Sequence, residues 1–412
     1  MRATGLRCVN CGRGYLLGLH YHCENCDFPL DVVYDPPSPS EPYETPGKQG
    51  IWRFEACMHS VEDPDQVSLG EGNTPLIAAS RLGAAFGIPN LFLKNEGTNP
   101  TGSFKDRPNS VGVSVAKSLG VEAVVMSSTG NAGASLAAYG ARAGMRTLVV
   151  VTEQTPPAKL TQMVMHGARI VVVRGSLSDA YWLAFHAARE WNWMDLTSTF
   201  LCPYTTEGDK TVAFELFSQL GRAPDVIVVP VSVGPLLVGI YKGFEELRSR
   251  GLVDRLPRMV AAQSEACAPI AAAFSEGRAE VRPWEGTVLT VAGGIADPLR
   301  GYEKDGTYTL RVVRQSGGCA LASSDQEIVE ATRRLARQEG VFSEPTGAVG
   351  VAALTHWKRQ PQFSPDQTVV CLVTGHGLKQ VRAFDHEVRL PQAIDPTLDA
   401  LRKSLEEDPG VL

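Results

Sequence analysis

The sequence has no apolar run long enough to cross a membrane and no excess of basic residues. Its longest apolar run, 226–240, contains Pro230 and Pro235 and is shorter than the ~20 apolar residues of a spanning helix. The 39 Lys and Arg against 45 Asp and Glu give a net charge of −6. This balance argues against a nucleic-acid binder, because phosphate contacts require a basic face. The N-terminus also lacks the apolar core of a signal peptide, so we expect a cytoplasmic protein.

Cysteine is scarce and unevenly distributed. Nine cysteines in 412 residues are too few for a disulfide scaffold. Four of them form two Cys-x-x-Cys pairs, namely Cys8, Cys11, Cys23 and Cys26. Two such pairs can surround one tetrahedral zinc ion, and four thiolate ligands leave no position for water. The pattern therefore predicts a structural zinc ribbon over residues 1–34.

Three alternatives to a zinc ribbon stay open. The thiols could be unrelated, the ribbon could have lost its metal, or it could bind nucleic acid. The last alternative is disfavoured because residues 1–35 contain three arginines and four acidic residues, which leaves no basic patch.

Residues 35–50 hold five prolines and cannot form a helix, so we expect a linker there. From about Leu91 onward, short apolar runs alternate with helical patterns, which is typical of an α/β fold with buried parallel strands. The predicted strands are Ala123–Met126, Thr147–Val151, Ile170–Val173, Val226–Val231 and Val369–Val373. The predicted helices are Asn131–Ala143, Pro157–His166, Leu177–Trp191 and Leu236–Arg250. Ligands of such sheets bind where the strands end.

The first loop of interest contains Lys105. Ser103 and Asp106 have the spacing of a capping box, which would place Lys105 in the first turn of a helix. The positive end of the helix dipole disfavours a protonated amine there, and a neutral amine can form a Schiff base with a carbonyl. A solvated surface lysine is the alternative that the spacing leaves open.

A second loop follows the predicted strand Ala123–Met126. It combines hydroxyl groups, a glycine and an amide at a helix start, in Ser128, Thr129, Gly130 and Asn131. The backbone N–H groups of such a turn can bind an anion. The same residues could equally form an ordinary helix N-cap.

Two further loops follow apolar strands. The turn at Ser232, Val233 and Gly234 could hold a phosphate, although the following Pro235 offers no N–H group. Thr374 follows the strand that ends at Val373 and would present a hydroxyl to the same edge of the sheet. By itself each of these loops is a weak signal.

Taken together, these loops resemble those of the fold-type II pyridoxal-phosphate enzymes of the tryptophan synthase β superfamily, and the threonine synthases most closely. The likeness extends from about Trp52 to Lys379 and comprises six motifs in order. These motifs are Glu71–Leu76, Asn99–Arg107, Ser128–Asn131, Glu207–Thr211 with Ala213–Leu216, Glu344–Pro345 and Thr374–Lys379. Some threonine synthase-like proteins also carry an N-terminal cysteine-knuckle segment.

The resemblance implies a fold and a set of roles. It implies two open parallel-sheet domains, a large one (51–98 and 200–412) that binds the cofactor and a small one (99–199), in a homodimer. Lys105 would form the Schiff base with the cofactor aldehyde. Asn131 would bond the ring oxygen, and Thr374 would face the pyridine nitrogen. Residues 128–131 would bind the substrate carboxylate, and the backbone of 232–234 would bind the cofactor phosphate.

The implied activity converts O-phosphohomoserine and water to threonine and phosphate, yet the sequence departs from the family in three places. The phosphate turn reads Ser-Val-Gly-Pro-Leu over 232–236, and its continuation to Gly239 resembles serine/threonine dehydratases. Residues 203–206 contain no arginine to contact a substrate phosphate. Pro108 stands where the family usually has a glycine, directly after the Lys-Asp-Arg motif of residues 105–107. An ammonia-lyase or β-replacement enzyme on an unphosphorylated amino acid, and a non-catalytic scaffold, are therefore the alternatives.

Overall fold

The structure is a computed structural model that describes residues 3–36, 42–58, 61–153, 155, 157–387 and 392–407. Met1–Gln380 form one compact unit, and Val381–Leu412 form a second. Part of the predicted linker, 37–41, lies outside the described residues. Within the described ranges, no helix has the length and apolar character needed to cross a lipid bilayer.

Three sheets are present among the described residues. A three-stranded antiparallel sheet has the order β2-β1-β3, a six-stranded sheet has the order β12-β11-β10-β13-β5-β4, and a four-stranded sheet has the order β8-β7-β6-β9. The strands are β1 (Ala3–Cys8), β2 (Gly14–Tyr15), β3 (Leu30–Tyr34), β4 (Leu76–Ala78), β5 (Leu91–Asn95), β6 (Ala123–Ser127), β7 (Arg146–Thr152), β8 (Arg169–Val173), β9 (Met194–Asp195), β10 (Val226–Pro230), β11 (Arg258–Ser264), β12 (Cys319–Ser323) and β13 (Val369–Val373).

All neighbouring strands in the two larger sheets are parallel except β4, which pairs antiparallel with β5 at one edge. Central strands such as β10 and β13 are buried along their whole length, as expected for parallel strands covered on both faces. The predicted α/β class is therefore confirmed, and each of the five predicted strands is present with its ends moved by at most one residue.

Thirteen α-helices are described. They are α1 (Ser80–Phe86), α2 (Asp106–Ser118), α3 (Asn131–Ala143), α4 (Pro157–Met165), α5 (Leu177–Trp191), α6 (Thr205–Leu220), α7 (Pro235–Ser249), α8 (Pro269–Ser275), α9 (Glu303–Gln315), α10 (Asp325–Glu339), α11 (Pro345–Ala352), α12 (Leu354–Trp357) and α13 (Leu398–Glu407). Helices α3 and α5 have the predicted bounds, α4 ends one residue earlier than predicted, and α7 begins and ends one residue earlier than predicted.

Helices α2 and α6 cross at very short range. A Cβ atom on Gly208 of α6 would lie 2.2 Å from the carbonyl oxygen of Arg107 on α2, so only glycine permits this crossing. The contact fixes the start of α2, and with it Lys105, against α6.

The small sheet of β1, β2 and β3 shares its core with the larger body. Buried side chains such as Leu6 and Leu30 belong to the same apolar cluster as Trp52 and Tyr139. A segment of this size cannot bury a large core alone. Its packing against the body therefore supplies much of its apolar burial.

Candidate active site

A cavity of about 160 Å³ lies where β6, β10 and β13 end. Carboxyl ends of parallel strands are the usual position for a ligand in such sheets. The cavity is lined by every residue that the sequence singled out as a catalytic, cofactor or carboxylate contact, namely Lys105, Ser128, Thr129, Gly130, Asn131, Ser232, Val233, Gly234 and Thr374. Segments far apart in the chain thus meet in one place.

Lys105 lies directly before α2, and the predicted capping box is wrong. Helix α2 begins at Asp106, one residue after Lys105, and the Ser103 hydroxyl has no hydrogen-bond partner within the described part of the chain. The Asp106 carboxylate instead accepts hydrogen bonds from Thr101 N (2.7 Å) and Thr101 Oγ1 (2.6 Å). Asp106 therefore stabilises the preceding turn, which presents Lys105 to the cavity.

The Lys105 amine has two polar neighbours that the sequence did not single out. Its Nζ contacts the hydroxyl of Ser198. Burial lowers the pKa of Lys105 to about 8, and the negative charge of Asp209 opposes that shift. Burial in turn raises the pKa of Asp209 to about 7; this side chain is 1% exposed and its Oδ1 has no hydrogen-bond partner among the described residues. An amine with this pKa exchanges its proton readily near neutral pH.

The start of α3 is capped as an ordinary helix N-terminus, and its anion-binding role stays a prediction. The Ser128 hydroxyl accepts a hydrogen bond from Gly133 N at 3.0 Å and so caps the helix. The Asn131 side chain donates to Glu344 Oε1 at 2.6 Å, and burial raises the pKa of that glutamate. Backbone N–H groups in the first turn, such as that of Ala132, have no partner inside the helix and can bind a carboxylate.

The turn before α7 depends on a glycine. Gly234 has φ = 124°, and a Cβ atom there would lie 2.1 Å from Thr309 Oγ1. That hydroxyl donates to the carbonyl of Val233 at 2.7 Å, which fixes the turn. Although Pro235 lacks an N–H group, Leu236 supplies one in the first turn, and both Ser232 and Leu236 line the cavity. These donors suit a phosphate.

The Thr374 loop is joined to the Lys105 loop by backbone hydrogen bonds. Phe104 N donates to Thr374 O at 3.0 Å, and His376 N donates to Gly102 O at 2.9 Å. Thr374 is 2% exposed and lines the cavity. A lysine amine, a buried hydroxyl and a turn with backbone N–H donors therefore converge in one cavity, an arrangement that suits a phosphorylated aldehyde.

Comparisons with known proteins agree with this class. The family of pyridoxal-phosphate dependent enzymes matches residues 67–375. The threonine synthase of Methanocaldococcus jannaschii is 37% identical over 409 residues, covering 97% of this chain and 99% of that protein. The threonine synthase of Mycobacterium tuberculosis (strain H37Rv) is 39% identical over 320 residues, covering 77% and 85%. Maize serine racemase superimposes with a TM-score of 0.65 at 23% identity, covering 76% of this chain and 91% of that one.

The chain belongs to the pyridoxal-phosphate dependent enzyme family. The predicted family, the predicted enzyme class and the predicted pyridoxal phosphate cofactor are thus confirmed. The residues present also fit this cofactor, because an amine for its aldehyde and N–H donors for its phosphate line one cavity. The shape of the turn also depends on Gly234, because a Cβ atom there would collide with the side chain of Thr309.

Two charged side chains in the cavity were not among the site residues predicted from the sequence. Lys159, from the first turn of α4, and Asp297, which accepts hydrogen bonds from Leu299 N (2.9 Å) and Tyr302 Oη (2.8 Å), both line it. Lys159 could have been identified as a candidate from its position at the start of the helix that follows β7. Nothing in the pattern around Asp297 distinguished it from an ordinary loop residue.

The four N-terminal cysteines are brought together as predicted from their spacing. Their sulfur atoms all lie within 4.8 Å of one another, with 3.4 Å between Cys8 and Cys26 and 3.6 Å between Cys11 and Cys23. Zinc–sulfur bonds of about 2.3 Å place tetrahedral sulfurs about 3.8 Å apart. Tyr15 Oη also donates to Cys23 Sγ at 3.3 Å. The geometry fits a single zinc ion.

The Lys105 amine should control how fast the cofactor-free protein takes up pyridoxal phosphate. Only the neutral amine reacts, so the uptake rate should rise with pH through a midpoint near 8 and level off above it. In Asp209→Asn the charge that favours the ammonium is lost, so the midpoint should move to lower pH. Absorbance in the visible range follows the uptake. Asp254→Asn, at an exposed position, is the matched control and should leave the midpoint unchanged; an unshifted Asp209→Asn would contradict the prediction.

Proposed function

We propose that the protein is a threonine synthase that converts O-phosphohomoserine and water to threonine and phosphate. The observation that carries the proposal is the full-length likeness to the threonine synthase of Methanocaldococcus jannaschii. The cavity supports it, because Lys105 lies there beside two anion-binding turns.

Lys105 is the catalytic residue in this proposal. Bound pyridoxal phosphate supplies a conjugated ring that takes up the charge of a substrate carbanion. Lys105 removes and returns protons at the substrate carbons as a general base, for which a pKa of about 8 is well suited. Ser198 contacts the amine and orients it.

The remaining lining residues bind the cofactor and the substrate. We assign the substrate carboxylate to the helix start formed by Ser128, Thr129, Gly130 and Asn131, where N–H groups and the helix dipole favour an anion. The cofactor phosphate is assigned to the turn of Ser232, Val233 and Gly234. Asn131 would also bond the cofactor ring oxygen, and Thr374 would face the ring nitrogen.

Two charged residues that line the cavity, Lys159 and Asp297, are relevant to whether the substrate carries a phosphate. Thr205, within the stretch 203–206 where an arginine was expected, is buried at the start of α6. Lys159 supplies an ammonium group to the cavity instead, which supports a phosphorylated substrate because a phosphate dianion needs a cationic partner. Asp297 favours the second candidate, an ammonia-lyase acting on serine or threonine, because a carboxylate in the cavity repels a phosphate.

One assay separates the two candidates. The purified protein with pyridoxal phosphate is offered O-phosphohomoserine and, separately, threonine and serine, and phosphate, ammonia and 2-oxo acids are measured. We expect phosphate and threonine in equal amounts from O-phosphohomoserine. Formation of 2-oxobutanoate from threonine as the main reaction would overturn the proposal in favour of the ammonia-lyase. A protein that turns over none of these substrates would support the scaffold instead.

We further propose that Cys8, Cys11, Cys23 and Cys26 bind one structural zinc ion. Metal analysis of the purified protein should find about one zinc per chain, as four thiolate ligands close a tetrahedral site. Cys11→Ser should release it and lower the thermal midpoint, whereas Cys319→Ser, at a buried thiol elsewhere, should retain the metal. A wild-type protein with well below one zinc per chain would refute the proposal.

The domain division, the assembly and the location are proposed on the family likeness. We propose a large domain of 51–98 and 200–412 and a small one of 99–199. The strands β6 to β9 all lie between 123 and 195, which supports this division up to residue 380; Val381–Leu412 form a compact unit of their own. We propose a homodimer, which sedimentation would test. All nine cysteines are unpaired, which supports a reducing cytoplasm.

A further inference from the structure

The loop between the two cysteine pairs lies against a wall of the active-site cavity. We call residues 16–22 the knuckle loop, and residues 194–204, which connect β9 to α6, the wall segment. The wall segment lines the cavity with Thr197, Ser198 and Thr199. Three sets of polar contacts join the two segments.

The first contact lies at the end of the wall segment. The Tyr204 hydroxyl accepts a hydrogen bond from Gly18 N at 2.9 Å and donates one to Gly18 O at 3.0 Å. Tyr204 is 1% exposed and Gly18 is partly exposed, so both bonds are partly shielded from solvent, and the Tyr204 hydroxyl would be left without these partners if they were lost.

The second contact lies at the beginning of the wall segment. Tyr21 Oη accepts a hydrogen bond from Asp195 N at 3.1 Å and donates to Trp193 O at 3.2 Å. One ribbon hydroxyl therefore satisfies two backbone groups of the chain on either side of Met194. Without it, the buried N–H of Asp195 would lose this acceptor.

The third contact lies in the middle of the wall segment. His22 Nε2 is 3.1 Å from Asp305 Oδ1, and the other oxygen of Asp305 accepts a hydrogen bond from Phe200 N at 3.1 Å. Asp305 is fully buried. The ribbon therefore contacts the wall segment directly at both ends and, through Asp305, near its centre.

Hydrogen bonds inside the wall segment continue from Tyr21 toward the catalytic amine. Asp195 Oδ1 accepts from Thr197 N (2.8 Å) and Thr197 Oγ1 (2.6 Å). Thr197 Oγ1 in turn accepts from Ser127 N at 3.0 Å, at the end of β6. The next residue, Ser198, contacts Lys105 Nζ.

We propose that the knuckle loop positions the active site, with Tyr21 as its positioning residue, by fixing the wall segment so that Ser198 meets Lys105. The loop is anchored at both ends by cysteine pairs, since Cys11 precedes it and Cys23 follows it. The cysteine ribbon is therefore part of the catalytic architecture. This inference rests on the proposed role of Lys105 but not on the identity of the substrate.

The test measures the pH midpoint of pyridoxal phosphate uptake by the full-length, cofactor-free protein. Ser198→Ala should lower the midpoint by about 0.5 pH unit or more, because a hydroxyl that accepts from the ammonium favours its protonated form. Tyr21→Phe should lower it in the same direction. The double variant should match Ser198→Ala alone, because both changes remove one contact. Asp209, whose charge acts on Lys105, is retained in all variants.

The control variant changes a tyrosine outside the active-site cavity. Tyr43→Phe removes a tyrosine hydroxyl that lies 3.2 Å from Ser218 Oγ, outside the cavity lining, and should leave the midpoint unchanged. An unchanged midpoint in Tyr21→Phe, an unchanged midpoint in Ser198→Ala, or additive shifts in the double variant would overturn the proposal. If Tyr21→Phe fails to fold, Tyr204→Phe replaces it with the same expected shift. Because uptake involves no substrate, failure of O-phosphohomoserine as a substrate leaves the test intact.

Discussion

Lys105→Ala should lose turnover of O-phosphohomoserine by about 10³-fold or more while the chain stays folded. A positioned general base contributes about 10²–10⁴-fold to a rate, and here the same amine also holds the cofactor. The side chain takes part in no ion pair among the described residues, and its principal polar contact is the Ser198 hydroxyl. Its removal therefore costs the fold little. Released phosphate measures turnover, and the far-ultraviolet circular dichroism and thermal midpoint report the fold.

The matched control is Lys358→Ala, at an exposed lysine outside the cavity lining. It should retain full activity and the visible absorbance of the bound cofactor. Mass spectrometry after borohydride reduction should find the cofactor on the peptide containing Lys105 in the wild type, and on no peptide in Lys105→Ala. Retained turnover in Lys105→Ala, or label on a different lysine, would remove Lys105 from the catalytic role.

The strands were predictable because their signal is local. A run such as Val369–Val373 is apolar throughout, as a strand covered on both faces must be. The chemistry of the loops was readable for the same reason where a motif was present. Lys105 and residues 128–131 lie in such motifs, and the structure brings them into one cavity.

The remaining site residues could not be predicted because their roles depend on contacts between distant segments. Ser198 lies in a run of threonine and serine with no distinctive motif, and tertiary contacts such as the packing of β9 against β6 bring it to Lys105. Asp209 was noted as part of a motif, but its burial beside the amine is a property of the α2–α6 crossing. The capping box predicted from Ser103 and Asp106 does not form, because the Asp106 carboxylate accepts hydrogen bonds from Thr101 instead.

Arg107→Met should lower the free energy of unfolding by about 3–5 kcal/mol, the usual cost of removing one partner from a buried ion pair. Arg107 donates to Glu96 Oε2 at 2.7 Å and to Glu215 Oε2 at 2.8 Å, and Lys94 Nζ donates to the same Glu215 oxygen at 2.6 Å. All four side chains are fully buried. Although burial raises it, the positive charges of Arg107 and Lys94 hold the pKa of Glu215 well below its usual range.

The loss should be largest near neutral pH. A carboxylate with a depressed pKa contributes stability above its unfolded-state pKa, and that contribution is lost as pH falls through the folded-state value. The difference in the free energy of unfolding between wild type and Arg107→Met should therefore shrink as the pH is lowered below the pKa of the carboxylate in the unfolded chain. Urea midpoints at pH 7 and at lower pH values measure it.

Arg146→Met gives the comparison that separates burial from charge. Arg146 contacts Glu122, but its side chain is 66% exposed, and pairs of that kind contribute little because water and salt screen them. The two substitutions are chemically identical, so a similar midpoint for both would show that the buried network does not stabilise the fold. The start of α2 would then depend on the Gly208 crossing and on the hydrogen bonds of Asp106. A large loss of stability confined to Arg107→Met would mean that the buried ion pairs of Arg107, two residues after Lys105, stabilise the segment that carries the catalytic lysine.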